Sequence, residues 1–332
     1  MTIKVVLIFR KKVVSGNSIE VLFSTISTEL KKYVNVTHYI VGSKKDILKD
    51  IFQLRRLNAD IYHITGDCHY LAIFLPKAKT ILTIHDINHY LYNLTGLRKI
   101  IYKLIWISLP MRFAAKITTI SSTTKDNLFC EASGYNKDII VIPNCFSPLL
   151  HRSPKEFNSE CPVILQVGTA PHKNVSTLIE AIKDLSCKLV LIGKLSPELK
   201  QELVAGRVDF ENYYGLDYDK LVNEYLKCDI VTFISLREGF GVPIIEAQAI
   251  GRVVITSNLE PMNSIAGSGA FIVDPYSVQS VRDAIIMAIN DKEKRDHIVT
   301  NANNNVIGYS VDNVACQYHE LYQKLTCLSY NR

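Results

Sequence analysis

A chain of 332 residues, 48% hydrophobic and 21% charged, has apolar material for two domains of ordinary size, which excludes a disordered or fibrous protein. Its eight cysteines (68, 130, 145, 161, 187, 228, 316 and 327) form no C-x-x-C and no metal-type spacing, so reduced thiols in a cytosol are expected rather than a disulfide or zinc framework. The net charge of +6 conceals an asymmetry: residues 1–150 carry 20 Lys and Arg against 10 Asp and Glu, whereas residues 151–332 carry 18 against 22. A basic half of that size is either a solvated surface or a face that meets something anionic, such as a membrane leaflet, a diphosphate or nucleic acid. No nucleic-acid recognition motif or aromatic platform accompanies it.

The start, MTIKVVLIFRKK, reads as a strand and a basic loop without a small-residue cleavage site, so no signal peptide is expected. From there β-branched runs at 3–9, 34–41, 60–64, 80–84, 117–120 and 139–142 alternate with helical segments near 18–32, 45–57, 97–115 and 122–132. The apolar run 100–115 is broken by Lys103, Pro110 and Arg112, short of the ~20 residues a spanning helix needs. The segment 97–116 mixes five cations with Ile, Leu, Trp and Phe, which suits either a core helix with a solvated basic face or a helix lying on an anionic interface. Four prolines in 143–162 mark a linker.

Beyond it, strands are expected at 163–167, 188–192, 230–234, 253–256 and 271–273, and helices near 175–185, 218–227, 243–250 and 277–290. Residues 207–215 read as a further strand and loop. The predicted class is α/β, with two Rossmann-like doubly wound units over 1–145 and 160–310, and a terminal helix at 311–326 that can pack on the first. Open α/β sheets bind ligands beyond the carboxyl ends of their strands. Polar and glycine clusters stand at those ends, at 10–16, 65–69, 85–86, 168–174 and 238–241. Two decorated edges imply a cleft between domains.

The richest corner is 229–256, DIVTFISLREGFGVPIIEAQAIGRVVIT. A strand enters a turn carrying Glu238, Gly239, Phe240 and Gly241, and a short helix follows with Glu246 in its first turn. Free N–H groups and a positive helix end favour an anion there. Carboxylates beside them accept hydroxyl hydrogen bonds. A ligand that wants both is a sugar nucleotide.

EGFGVPIIE (238–246) resembles the E-x7-E motif of retaining glycosyltransferases of the GT-B fold, family 4. VGTAPHKN (167–174), VIPN (141–144) and TIHD (83–86) stand in the order that family shows, and RKKVVSGNSIE (10–20) is similar to the opening loop of bacterial O-antigen and polysaccharide transferases. The resemblance implies that Glu246 holds the nucleotide ribose, Glu238 faces the transferred sugar, and Lys173 grips the donor diphosphate. It sets Gly168, Thr169 and the Gly239–Gly241 turn against the donor, Gly16 in the opening loop near the diphosphate, and His85 beside the reacting sugar. Tyr213 and Tyr214 become candidate nucleobase contacts.

The family's usual arginine near Thr169 is missing, which leaves His172 and Arg252 as candidates for a second phosphate-binding cation. The D-x-D at 217–219 starts a helix and reads as an N-cap rather than a metal site. The resemblance further implies a UDP- or GDP-sugar donor, an undecaprenyl-diphosphate-linked glycan acceptor, retention of anomeric configuration, no metal or cofactor, and a cytoplasmic enzyme peripheral on the membrane. The loop at 168–174 leans toward mannosyl-type relatives. Two alternatives share parts of the pattern: a sensor that binds a nucleotide sugar without transfer, and a nicotinamide oxidoreductase. The second is disfavoured because RKKVVSG, not G-x-G-x-x-G, follows the first strand.

Overall fold

The computed structural model describes residues 2–11, 18–131 and 138–330. They form two compact units: Met1–Cys145 with Val311–Arg332, and Phe146–Ser310. Each is built on a six-stranded, all-parallel sheet, as the alternation of β-branched runs with helices predicts.

The first sheet comprises β1 (Lys4–Phe9), β2 (Asn35–Ile40), β3 (Ile61–Ile64), β4 (Thr80–Ile84), β5 (Lys116–Thr119) and β6 (Ile139–Val141), in the order β2-β1-β3-β4-β5-β6. β1 pairs Val5 with Val36 on one side and with Ile61 on the other, so the strand order reverses there. Helices cover both faces, which is why β1, β3 and β4 are almost continuously apolar rather than alternating. One face is sealed by helix Ser18–Leu30 and the terminal helix Val311–Tyr330, whose Val314, Tyr318, Tyr322 and Leu325 pack with Leu7, Phe23 and Ile61.

The second sheet comprises β7 (Val163–Val167), β8 (Lys188–Ile192), β9 (Asp209–Tyr213), β10 (Ile230–Phe233), β11 (Val253–Ser257) and β12 (Phe271–Val273), in the order β12-β11-β10-β7-β8-β9. β7 and β10 are neighbours, with Ile164 opposite Ile230, although 66 residues separate them. The reversal of strand order therefore falls between these two, and both deliver their following loops to the same edge. That edge is where an open sheet of this type takes its ligand.

Three helices escape the sequence reading: Pro197–Ala205, Met262–Ala266 and Lys292–Val306. The segment expected as one helix over 97–115 is instead Gly96–Tyr102, a wider π turn over Lys103–Ser108, and Leu109–Phe113. Pro110 has no N–H to give to Trp106, four residues earlier, so regular α pairing cannot continue through it.

Candidate active site

Gly168 ends β7 at φ +94°, and a Cβ there would lie 2.8 Å from Cε of Lys173. Only glycine lets the lysine side chain fold across that backbone. The Lys173 ammonium lies 2.6 Å from Oε1 of Glu238 and 4.4 Å from the centre of the Phe233 ring. His172 places Nε2 3.9 Å from the same carboxylate oxygen, and the N–H of Leu236 donates to its carbonyl at 2.8 Å, tying the two loops together. Burial depresses the His172 imidazole more strongly than the Glu238 charge raises it, and Lys173 and Arg237 add to the depression. The ring is thereby held toward its neutral form. Arg237, exposed beside Glu238, is the charged neighbour that the sequence reading passed over.

The hydroxyl of Thr169 donates to the carbonyl of Lys194 at 2.7 Å. Gly193 makes room for it, since a Cβ at that glycine would stand 2.6 Å from Oγ1. Thr169 therefore fastens the loops after β7 and β8 to each other. Asn174, at φ +60°, closes the first of them by donating to the carbonyl of Pro275 at 2.7 Å.

After β10 the turn reaches Gly241, at φ +122°, and opens helix Val242–Ile250. Gly239 lies in this turn beside Glu238, while the Phe240 ring is buried edge-on to Tyr309, 5.9 Å away. Any contact from Phe240 to a ligand is thus a backbone one. Glu246, four residues into the helix and 6% exposed, accepts a hydrogen bond from Tyr218 on Oε1 and from Tyr225 on Oε2, each at 2.7 Å. Burial raises its carboxyl above the ordinary value, and the two phenols pull it back. Both tyrosines project from helix Tyr218–Lys227, two turns apart and therefore on one face.

Asp217 caps that helix, accepting from the N–H of Lys220 at 2.9 Å, as its position before an amphipathic run predicts. Among the described residues no group of three or more His, Cys, Asp or Glu is placed to hold a metal ion. Tyr213 ends β9 with its hydroxyl on Glu211 at 2.6 Å, whereas Tyr214 is 70% exposed just before Gly215.

Arg252 is corrected by the structure. It precedes β11 at the amino edge of the sheet, opposite the loops that carry Lys173 and Glu238. Its guanidinium is buried, donating to the carbonyls of Tyr225, Ser153 and Leu226 at 3.1, 2.7 and 2.8 Å. It ties the segment entering the unit to the base of the sheet and cannot reach a diphosphate at the other end.

In the first unit His85 follows β4, with Nε2 2.8 Å from the carbonyl of Thr65 after β3 and the Phe23 ring 5.9 Å away. A carbonyl only accepts, so Nε2 carries the proton. Burial holds the ring neutral, at about 4, despite that bond, and Nδ1 is then an acceptor. Its sequence neighbours separate cleanly. His63 is fully buried between the Tyr322 hydroxyl and Thr83 Oγ1, both at 2.7 Å, and His69 meets the carbonyl of Trp106 at 2.8 Å. Gly16 lies outside the described residues.

Residues 150–305 match the family model described as glycosyl transferases group 1. The O-antigen chain mannosyltransferase RfbU of Salmonella typhimurium is 26% identical over 246 residues, 70% of this chain and 66% of its own. The O-antigen chain mannosyltransferase B of Escherichia coli is 28% identical over 278 residues, 75% of this chain and 70% of its own. The chain thus spans about two thirds of the length of these relatives. Anabaena HepE, solved in complex with UDP and glucose, is similar over 97% of this chain and 99% of its own, with a TM-score of 0.74 and 17% identity. That likeness is one of fold, the GT-B fold. The corner at 238–246 lies inside the segment that matches glycosyl transferases group 1, and the chain around it is folded as two parallel α/β units.

Proposed function

We propose that the protein is a retaining glycosyltransferase that moves a sugar, mannose by preference, from a nucleoside diphosphate donor to a lipid-diphosphate-linked glycan during assembly of a surface polysaccharide. The observation that carries this reading is the meeting of Lys173 with Glu238 at the reversal point of the second sheet. A diphosphate there competes for the ammonium and frees the Glu238 carboxylate to accept from sugar hydroxyls. As the glycosidic bond breaks, negative charge builds on the departing phosphate. Lys173 and the positive end of helix Val242–Ile250 are fixed beforehand to meet it.

Glu246 keeps a second lone pair on each oxygen after its tyrosine bonds, enough to accept from ribose hydroxyls. Tyr214, exposed at the end of β9, is assigned to the nucleobase. In the first unit, neutral His85 is assigned to a sugar hydroxyl through Nδ1. The acceptor hydroxyl attacks from the face the phosphate leaves, and the leaving phosphate oxygen draws its proton, so no side-chain nucleophile is needed. The reaction so written uses no metal and no cofactor. Two relatives named as O-antigen mannosyltransferases support the choice of sugar and pathway class.

A melting-temperature panel of GDP, UDP and their mannose, glucose and N-acetylglucosamine derivatives tests the donor. A ligand at a hundred times its Kd stabilises the native state by about 2.7 kcal/mol. A shift with GDP-mannose and transfer to a supplied lipid-diphosphate glycan are expected. Absence of a shift with every nucleotide would remove the reading, and binding without transfer to any glycan would make the protein a sensor.

A further inference from the structure

A cavity of about 340 Å³ lies at the amino edge of the second sheet, where Asp229 leads into β10 and Arg252 into β11. The segment entering the unit and the helix Lys292–Val306 supply its other walls. Four cations line it, Arg152, Lys155, Arg252 and Arg295, against two acids, Asp229 and Asp296. That balance runs against its surroundings, for residues 151–332 carry 18 Lys and Arg against 22 Asp and Glu.

Part of this positive charge serves the fold. Lys155 pairs with Asp229, whose carboxylate also accepts from the N–H groups of Asn158 at 3.2 Å and Val163 at 2.8 Å. Arg252 is committed to the carbonyls that enclose it. The other two arginines are not so occupied. Arg295 is only 8% exposed, with its guanidinium 4.2 Å from the centre of the Phe157 ring. Its Nη1 donates to the carbonyls of Ala288 and Ile289 at 2.8 and 2.7 Å, and its Nε–H and Nη2–H groups meet no acceptor among the described residues. Three buried polar atoms of the described residues lack a partner, and none belongs to Arg295, so these N–H groups still reach open space. Arg152 is exposed, its stem beside Gly251, where a Cβ would lie 3.9 Å from its Cγ. It pairs with no carboxylate among the described residues.

A guanidinium held largely out of water with unused donors and no carboxylate is costly. An anion in the cavity supplies what the fold leaves out. The surplus of cations excludes a metal ion. A carboxylate fills one guanidinium fork, whereas a phosphate has oxygens for two at once. The volume stands at the small end of the ~300–1,000 Å³ of small-molecule sites and is more than a bare phosphate fills. Phe157 and Val299 give part of the lining an apolar character. We propose that this cavity binds a small phosphomonoester, its phosphate on Arg152 and Arg295 and its organic body against Phe157 and Val299. The site lies at the opposite edge of the sheet from Lys173 and Glu238 and stands independently of the reaction proposed above.

Isothermal titration calorimetry on the full chain tests it, with glycerol 3-phosphate, glucose 6-phosphate, inorganic phosphate and succinate as probes. The titrations use Lys173→Ala, which removes the cation of the donor corner. One equivalent of at least one phosphomonoester is expected to bind this variant with a Kd of about 1 mM or tighter. Inorganic phosphate and succinate are expected to bind at least about fivefold more weakly. Adding Arg152→Glu, an exposed change that breaks no bond of the fold, is expected to weaken binding at least about tenfold while the melting temperature holds. Arg295→Lys, which keeps the charge and loses the fork, is expected to weaken it by roughly fivefold or more. Absence of binding to Lys173→Ala overturns the proposal, as does unaltered binding after Arg152→Glu. Succinate or inorganic phosphate binding as tightly as the phosphomonoesters overturns it too.

Discussion

An ammonium held 2.6 Å from a carboxylate and 4.4 Å above a phenyl ring has one orientation imposed on it from two sides, so that exchange of the carboxylate for a phosphate oxygen is the one rearrangement it needs to meet developing charge. Lys173→Ala and Glu238→Ala are each expected to lower kcat by about a hundredfold or more, read in a transfer assay with saturating donor. Near-normal rates in both would end the roles assigned to them. The spacing of the corner at 238–246 made both glutamates readable, and the loop 167–174 did so for Lys173. Their partners were less visible, because contact across 65 residues is a property of strand order rather than of local pattern. A local signal did exist for Glu246: Tyr218 and Tyr225 stand seven apart on an amphipathic helix and must share a face. Arg252 misled for the opposite reason. A cation beside a glycine reads as a loop residue, and nothing in the sequence says that carbonyls will enclose it.

Loops gather these side chains only because their backbones permit it. Gly168 is the sharpest case, with its left-handed φ and with Lys173 where a methyl would go. Gly168→Ala is expected to destabilise the protein by roughly 1–2 kcal/mol through backbone strain, with an added cost from the displaced lysine. In the Lys173→Ala background that added cost should vanish, so the two changes should couple by about 0.5 kcal/mol or more in denaturant titrations. Strict additivity would mean that the side chain of Lys173 does not lie over Gly168. Strands were the legible elements, since parallel strands covered on both faces are nearly continuous apolar runs. The helix Pro197–Ala205 carried a start signal that went unread, Ser196 accepting from the N–H of Leu199 with proline at the first position. The helix Lys292–Val306 carried only its cap, Asp291 accepting from the N–H of Lys294, because Arg295, Ala302 and Val306 are its buried residues and no apolar period forms.

Taken whole, the protein couples its stability to pH through histidines kept neutral inside it. Burial lowers His63 to about 3 and His85 to about 4, whereas an unfolded chain titrates near 6.5. The folded state therefore binds fewer protons, and its stability is complete above pH 6.5 and declines as pH falls toward 4. Each such ring contributes up to about 1.4 kcal/mol per pH unit to that decline. The urea midpoint is expected to be lower at pH 5 than at pH 7, and an unchanged midpoint would contradict neutral burial.

His63 also shows how far apart in sequence the first unit's interior is collected, for its Nδ1 partner is Tyr322, on the helix Val311–Tyr330. That return has a consequence during synthesis. The stretch 146–310 is contiguous and can close its own core as soon as it leaves the ribosome, while the amino-terminal sheet, made first, must wait for the last helix to cover Phe23 and Ile61. At ordinary elongation speeds of about 5–20 residues per second the delay lasts roughly ten to forty seconds. For that interval the strands of the first sheet stay half-clad, and the later-made lobe matures before the one that precedes it.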